Sequence, residues 1–115
     1  MTTGYQAKVN SSLTAVIASS GTASGAVDLQ GLTLCGFIMP ATFTGTVVTF
    51  TCSDTLAGTY VPVYDATNTQ KSVTVSASRY YALNPSDFAG IRFIKLVSGS
   101  AEGAERTITL AARPI

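Results

Sequence analysis

The stretch Thr46-Val47-Val48-Thr49-Phe50-Thr51-Cys52 decides the fold class. Successive side chains of a strand point to opposite faces. Val48, Phe50 and Cys52 therefore share one face, and Val47, Thr49 and Thr51 the other. The first face is the more apolar and is the expected core face. A helix would scatter these residues around its axis and give no such division.

Working outward, the same grammar repeats. Downstream, Ser53 to Gly58 reads as a loop. Tyr60 to Tyr64 reads as a strand with Pro62 inside it, which marks an edge or a bulge. Asp65 to Gln70 is a polar turn. Lys71 to Ser76 alternates again, with Val73 and Val75 inward. Arg79 to Leu83 is a short strand, and Ile91 to Val97 has the pattern of a central one. Ser98 to Gly103 is expected to be a flexible loop, and Glu105 to Ala112 is expected to close the sheet. Upstream, Leu32 to Met39 is strongly apolar and ends at Pro40, which cannot donate to a ladder. Ala26 to Leu29 and Leu13 to Ala18 are further strands, separated by a turn at Ser19–Thr22. Residues 1–12 form an extended arm or a first edge strand.

One helical turn is expected near residues 85–89. Asn84 is placed to cap it, and Pro85 has the φ a first helical residue needs. Asp87 suits the first turn and Gly90 can end it, with Phe88 as an anchor into the core. Many short strands with turn signals between them predict an all-β, jelly-roll-like antiparallel β-sandwich. It is one domain, residues 13–115, behind the arm. Its expected core includes Val48, Phe50, Ile94, Leu96, Ile108 and Leu110.

The chain has 115 residues, enough for one core. Charged residues are only 11% of it, and the net charge is +1. Seven basic residues are scattered, so no basic stripe marks a nucleic-acid partner. No apolar run has the length of a membrane-spanning helix. Met1-Thr2-Thr3-Gly4-Tyr5 lacks the pattern of a signal peptide, so assembly in the cytoplasm is expected. Cys35 and Cys52 sit in apolar runs and are expected to be buried, reduced thiols, with a disulfide between them as the alternative. A surface this poor in charge suits a protein that spends its life packed against others.

The chemistry-bearing residues are sparse. There is no histidine, which removes the commonest general base and metal ligand. Neither cysteine has a histidine to activate it. The acids Asp28, Asp54, Asp65, Asp87, Glu102 and Glu105 fall in or beside turns, where such side chains satisfy backbone donors. No cofactor and no metal are expected, although Asp54 or Asp65 with nearby carbonyls has oxygen ligands of the type calcium takes. Tyr60, Tyr64, Tyr80 and Tyr81 are the candidate surface aromatics, either as rims of the core or as a sugar platform.

Several stretches carry a resemblance. They are Ser24–Gly31, Gly36–Ala41, Tyr60–Asp65, Arg79–Gly90, Ile91–Leu96 and Arg106–Leu110. Together they resemble small structural proteins of tailed bacteriophages, the capsid decoration or cement proteins, over roughly residues 13–113. The chain is also similar, more faintly, to discoidin-like and carbohydrate-binding β-sandwiches, whose exposed Trp it lacks. The resemblance implies a non-enzymatic virion protein on the outer capsid surface, with the major capsid protein as partner. Decoration proteins sit on local symmetry axes, which implies a homotrimer first and a dimer second. An alternative is a carbohydrate-binding module of a phage fibre or spike. In the arm, Tyr5 and Lys8 are the candidate intermolecular contacts, because an extended segment can add to a neighbour's sheet edge.

Overall fold

The computed structural model describes residues 13–114; the arm, with Tyr5 and Lys8, lies outside the described residues. Nine strands and one 3₁₀ turn follow in order: β1 (Leu13–Ile17), β2 (Val27–Asp28), β3 (Thr33–Ile38), β4 (Val47–Ser53), β5 (Val61–Pro62), β6 (Ser72–Thr74), β7 (Tyr80–Ala82), the turn at Pro85–Asp87, β8 (Phe93–Ser98) and β9 (Arg106–Arg113). They form two antiparallel sheets. The first has the order β1-β9-β3-β7; the second has the order β2-β8-β4-β5, with β6 also on β4.

The connectivity is that of one long hairpin rolled up. β1 pairs with β9, β2 with β8, β3 with β7, and β4 with β5 and β6. Rolling then brings β9 against β3 and β8 against β4. This nesting is the jelly roll that the sequence predicts. β9 does not close the first sheet, as its place at the end of the chain suggested. It lies inside that sheet between β1 and β3, because the roll carries the last strand between the first and the third.

Parity fixes the core. Val48 and Phe50 on β4, Ile94 and Leu96 on β8, and Ile108 and Leu110 on β9 are all buried. Val75 is also buried, whereas Val73 is only partly so. Phe37 on β3 meets Phe50 edge-on at 6.1 Å, and Phe50 meets Phe88 edge-on at 5.0 Å. Aromatic pairs prefer this geometry because a positive ring edge faces a negative ring face. Phe88 reaches this stack from the one helical turn, which Asn84 caps by accepting from the Ser86 N–H. Gly90, at φ +88°, then reverses the chain in a conformation that favours glycine. Pro62 lies at the edge of the second sheet, where its missing N–H removes no ladder bond. Cys35 and Cys52 are free thiols on different sheets, half-buried rather than buried. Burial, reinforced by nearby Asp54, pushes the Cys52 thiol up from its ordinary value.

The segment expected to be a flexible loop is instead pinned by a buried carboxylate. Glu102 is 1% exposed. Its Oε1 accepts from the Thr44 N–H at 2.8 Å and the Arg106 Nε at 2.9 Å. Its Oε2 accepts from the Gly45 N–H at 2.9 Å and the Ser98 hydroxyl at 2.8 Å. The backbone at 102 also bonds in both directions to the turn at Ser20–Gly21. Burial pushes the carboxyl up, but the Thr44 N–H, the Ser98 hydroxyl, the Gly45 N–H and the Arg106 guanidinium together outweigh it and hold the pKa at about 2. Three loops at one end of the sandwich are thereby tied to one residue. Glu102 does satisfy backbone donors, as acids in turns do, but across the fold rather than within its own turn.

Candidate interaction surface

Among the described residues, the large apolar side chains left exposed fall into two groups. Val16, Ile38 and Tyr80 belong to the first sheet; Leu56, Val61 and Tyr64 belong to β5 and its flanking loops in the second. The first group lies on one continuous face, and register shows how. Ile38 sits between Thr109 on β9 and Tyr80 on β7. One step along, Gly36 sits between Ala111 and Ala82. Thr14 and Val16 of β1 extend the face beside Thr109 and Thr107. None of these side chains is charged.

Glycine at position 36 flattens this face. A Cβ there would collide with the hydroxyl end of Tyr80. The Tyr80 ring therefore lies down on the sheet, and its hydroxyl donates to the Cys35 carbonyl at 3.4 Å. Ile38 is 48% exposed beside it and Tyr80 51%. A ring held flat next to an isoleucine, on a floor of threonine and alanine, is a shallow and weakly polar surface. Fully burying a side chain such as Ile38 is worth about 1.5–3 kcal/mol. The charge on this face is Arg113, two residues beyond Ala111 on β9 and away from the Ile38–Tyr80 patch.

The outer face of the second sheet is different. Lys95 covers the Tyr60 ring with its Nζ 4.3 Å from the centroid, and Arg92 covers Phe93 at 5.0 Å. Asp28 holds Arg92 through bonds of 2.7 and 3.1 Å. The Arg92 pair, with the Gln30 N–H, keeps the Asp28 carboxyl below the usual range. An open hollow lined by Asp28, Gln30, Gly31 and Arg92 lies at this corner.

The four candidate surface tyrosines do not meet. Tyr60 lies under Lys95, and its hydroxyl donates to the Leu56 carbonyl. Tyr81 turns inward against Phe37, centroids 5.7 Å apart, and its hydroxyl accepts from the Ser76 N–H. Tyr64 and Tyr80 are exposed, but Tyr64 pairs with Gln70 beside the second sheet while Tyr80 belongs to the first. Two coplanar exposed rings, the mark of a sugar platform, are not formed by this set.

The acids are largely engaged. Lys71 bridges Asp87 at 3.0 Å and Asp65 at 3.8 Å. Asp65 also accepts from the Thr67 hydroxyl and from the N–H groups of Thr69 and Thr67, which lowers its pKa. Among the described residues no group of three or more His, Cys, Asp or Glu side chains is placed to hold a metal ion. No helix of the described residues is long and apolar enough to cross a membrane.

The sequence reading singled out Tyr80 but not Ile38, Val16 or Gly36. A signal was present. Leu32 to Met39 is apolar at nearly every position, yet a sandwich strand has only one core face. Phe37 and Met39 occupy it here, so Ile38 must face out. Comparison with family models, with curated proteins and with solved structures finds no match to this chain.

Proposed function

We propose that this chain is a non-enzymatic virion structural protein that binds and stabilises the outer surface of a bacteriophage capsid, docking through the outer face of its first sheet. The observation that carries the docking surface is the uncharged face around Ile38, Gly36 and Tyr80. A protein with few charges, and with none around Ile38, Gly36 and Tyr80 on its flattest face, is built to be covered. The shell as the covering partner comes from the resemblance of residues 13–113 to decoration proteins. A rigid jelly roll is well suited to such work. Its loops are tied at one end by Glu102, so a load applied to the face meets a core rather than a hinge.

The test uses shells that lack the protein. Purified chain is added, the particles are sedimented, and bound protein is counted against the major capsid protein. Saturable binding that raises the temperature at which the shells rupture is the expected result. Ile38→Lys should lower the affinity at least about tenfold, since a buried lysine must be desolvated. Failure of the wild-type chain to bind shells would remove the capsid from the proposal. Undiminished binding of Ile38→Lys would move the docking surface elsewhere.

A further inference from the structure

The first sheet has two edges, β1 and β7. β1 is joined to the segment before β2 by the Ile17–Ser24 bridge, and its Val16 carbonyl accepts from the Gly25 N–H. β7 is different. The Met39 N–H donates to the Arg79 carbonyl at 2.8 Å, and the Leu83 N–H to the Cys35 carbonyl at 2.9 Å. Positions 79, 81 and 83 therefore turn their backbone groups toward β3, and Tyr80 and Ala82 turn theirs away. These outward groups have no partner among the described residues. A strand edge of this kind is a template for another extended chain.

What lies beside the edge narrows the partner. Between β6 and β7 is a cavity of about 200 Å³, lined in part by Lys71, Val73, Leu83, Asn84 and Asp87. Lys71 sits between Asp87 and Asp65, so two carboxylates face one ammonium and the local charge is negative. Arg79, at the start of β7, carries the opposite charge. It is exposed and has no ion-pair partner among the described residues. Its position has the inward parity of Tyr81 and Leu83, which pack against the core. On the outer side Tyr80 and Ala82 are uncharged, as are their β3 neighbours Ile38 and Gly36. One strand thus has a free backbone edge, a cation at one end and a negative site at the other. Turned through half a circle, it complements itself.

We propose that β7 pairs antiparallel with β7 of a second copy, about a twofold axis at Tyr81. Tyr80 then stands opposite Ala82 of the second copy, and Ala82 opposite its Tyr80. Both pairs exchange N–H···O bonds, so every outward group of the two strands is used. On the outer side each large ring has an alanine for its new neighbour. On the inner side Arg79 of each copy stands opposite Leu83 of the other, at the cavity that Asp87 lines. The twofold makes both of these contacts at once and closes the assembly as a dimer. The two first sheets become one, and the flat patches around Ile38 lie on the same side of it. This goes beyond the capsid reading, since it concerns the free protein.

The test is the mass of the full chain in solution, by sedimentation equilibrium. No shells are present, so the result stands or falls apart from the capsid reading. A dimer is expected. Arg79→Glu sets like charges against each other at both Asp87 contacts and should raise the dimer dissociation constant at least about tenfold. Arg79→Lys keeps the charge and should leave the dimer in place. Ala82→Pro removes one outward N–H from each copy and should also weaken the dimer at least about tenfold. Circular dichroism checks that each variant is folded, and the Arg79 variants, changed at an exposed position, carry the test if the proline variant misfolds. A wild-type monomer overturns the proposal, and so does a trimer. A dimer that survives Arg79→Glu overturns it as well, because the copies would then meet through another surface.

Discussion

Replacing Glu102 by glutamine tests the clamp at the end of the sandwich. A carboxylate accepts at both oxygens, whereas an amide accepts at one and donates at the other. If the amide oxygen keeps Thr44 and Arg106, the NH₂ group faces the Gly45 N–H and the Ser98 hydroxyl. Serine can turn and accept, but the Gly45 N–H is left unpaired in a buried site. The Arg106 guanidinium, whose side chain is 13% exposed, loses its counter-charge.

The magnitude follows from the lowered carboxyl pKa of Glu102. A carboxyl lowered from 4.5 to about 2 prefers its ionised form in the folded state by about 3 kcal/mol. The folded-state value lies below the unfolded one, so this stability is fully present above about pH 4.5. It is lost as pH falls through about 2. For a domain of this size, 3 kcal/mol corresponds to roughly 12 °C in Tm. Thermal unfolding at pH 7 should show Glu102→Gln melting lower by about that amount. Between pH 4.5 and 2 the gap between wild type and variant should close, because protonation removes from the wild type what the substitution removed already. Asp28 and Asp65 titrate in both proteins and cancel in the difference. A drop of less than about 2 °C at pH 7, far below the size-scaled expectation, would refute the reasoning. So would a gap that does not change with pH.

Five further outcomes are expected. Leu96→Ala should destabilise by about 2–5 kcal/mol and Phe88→Ala by about 3–5 kcal/mol in denaturant unfolding; a loss near zero for Phe88 would mean that the helical turn does not plug the core. Gly36→Ala should lower Tm and displace the Tyr80 ring, seen as a change in tyrosine fluorescence or in its ring resonances, whereas Ile38→Lys should change stability by less than about 0.5 kcal/mol because it faces solvent in the free protein. Cys52 in the native protein should react with iodoacetamide at pH 8 more slowly than in the unfolded chain, since its thiol is pushed up by burial and by Asp54; equal rates would place that sulfur in open solvent.

Much of the fold was legible because side-chain parity is a local property. TVVTFTC states which residues of β4 face inward without reference to any other strand. The same holds for Ile94 and Leu96 on β8 and for Ile108 and Leu110 on β9. Asn84, Pro85 and Gly90 act on their own backbone, so the helical turn was readable too. The sequence determined that the chain is all-β, which face of β4, β6, β8 and β9 is wet, and where the helical turn falls. It did not determine which strand lies beside which. β9 lies inside the first sheet because the hairpin rolls, and no local pattern records that. Glu102 looked like a loop residue because its partners at Thr44 and Gly45 are 58 and 57 positions away. The flat face has the same origin. Ile38, Tyr80, Thr109 and Val16 come from four strands, and their outward parity was each readable alone. Only pairing set them side by side, because adjacency across a sheet is decided by long-range hydrogen bonds, which leave no period in the sequence.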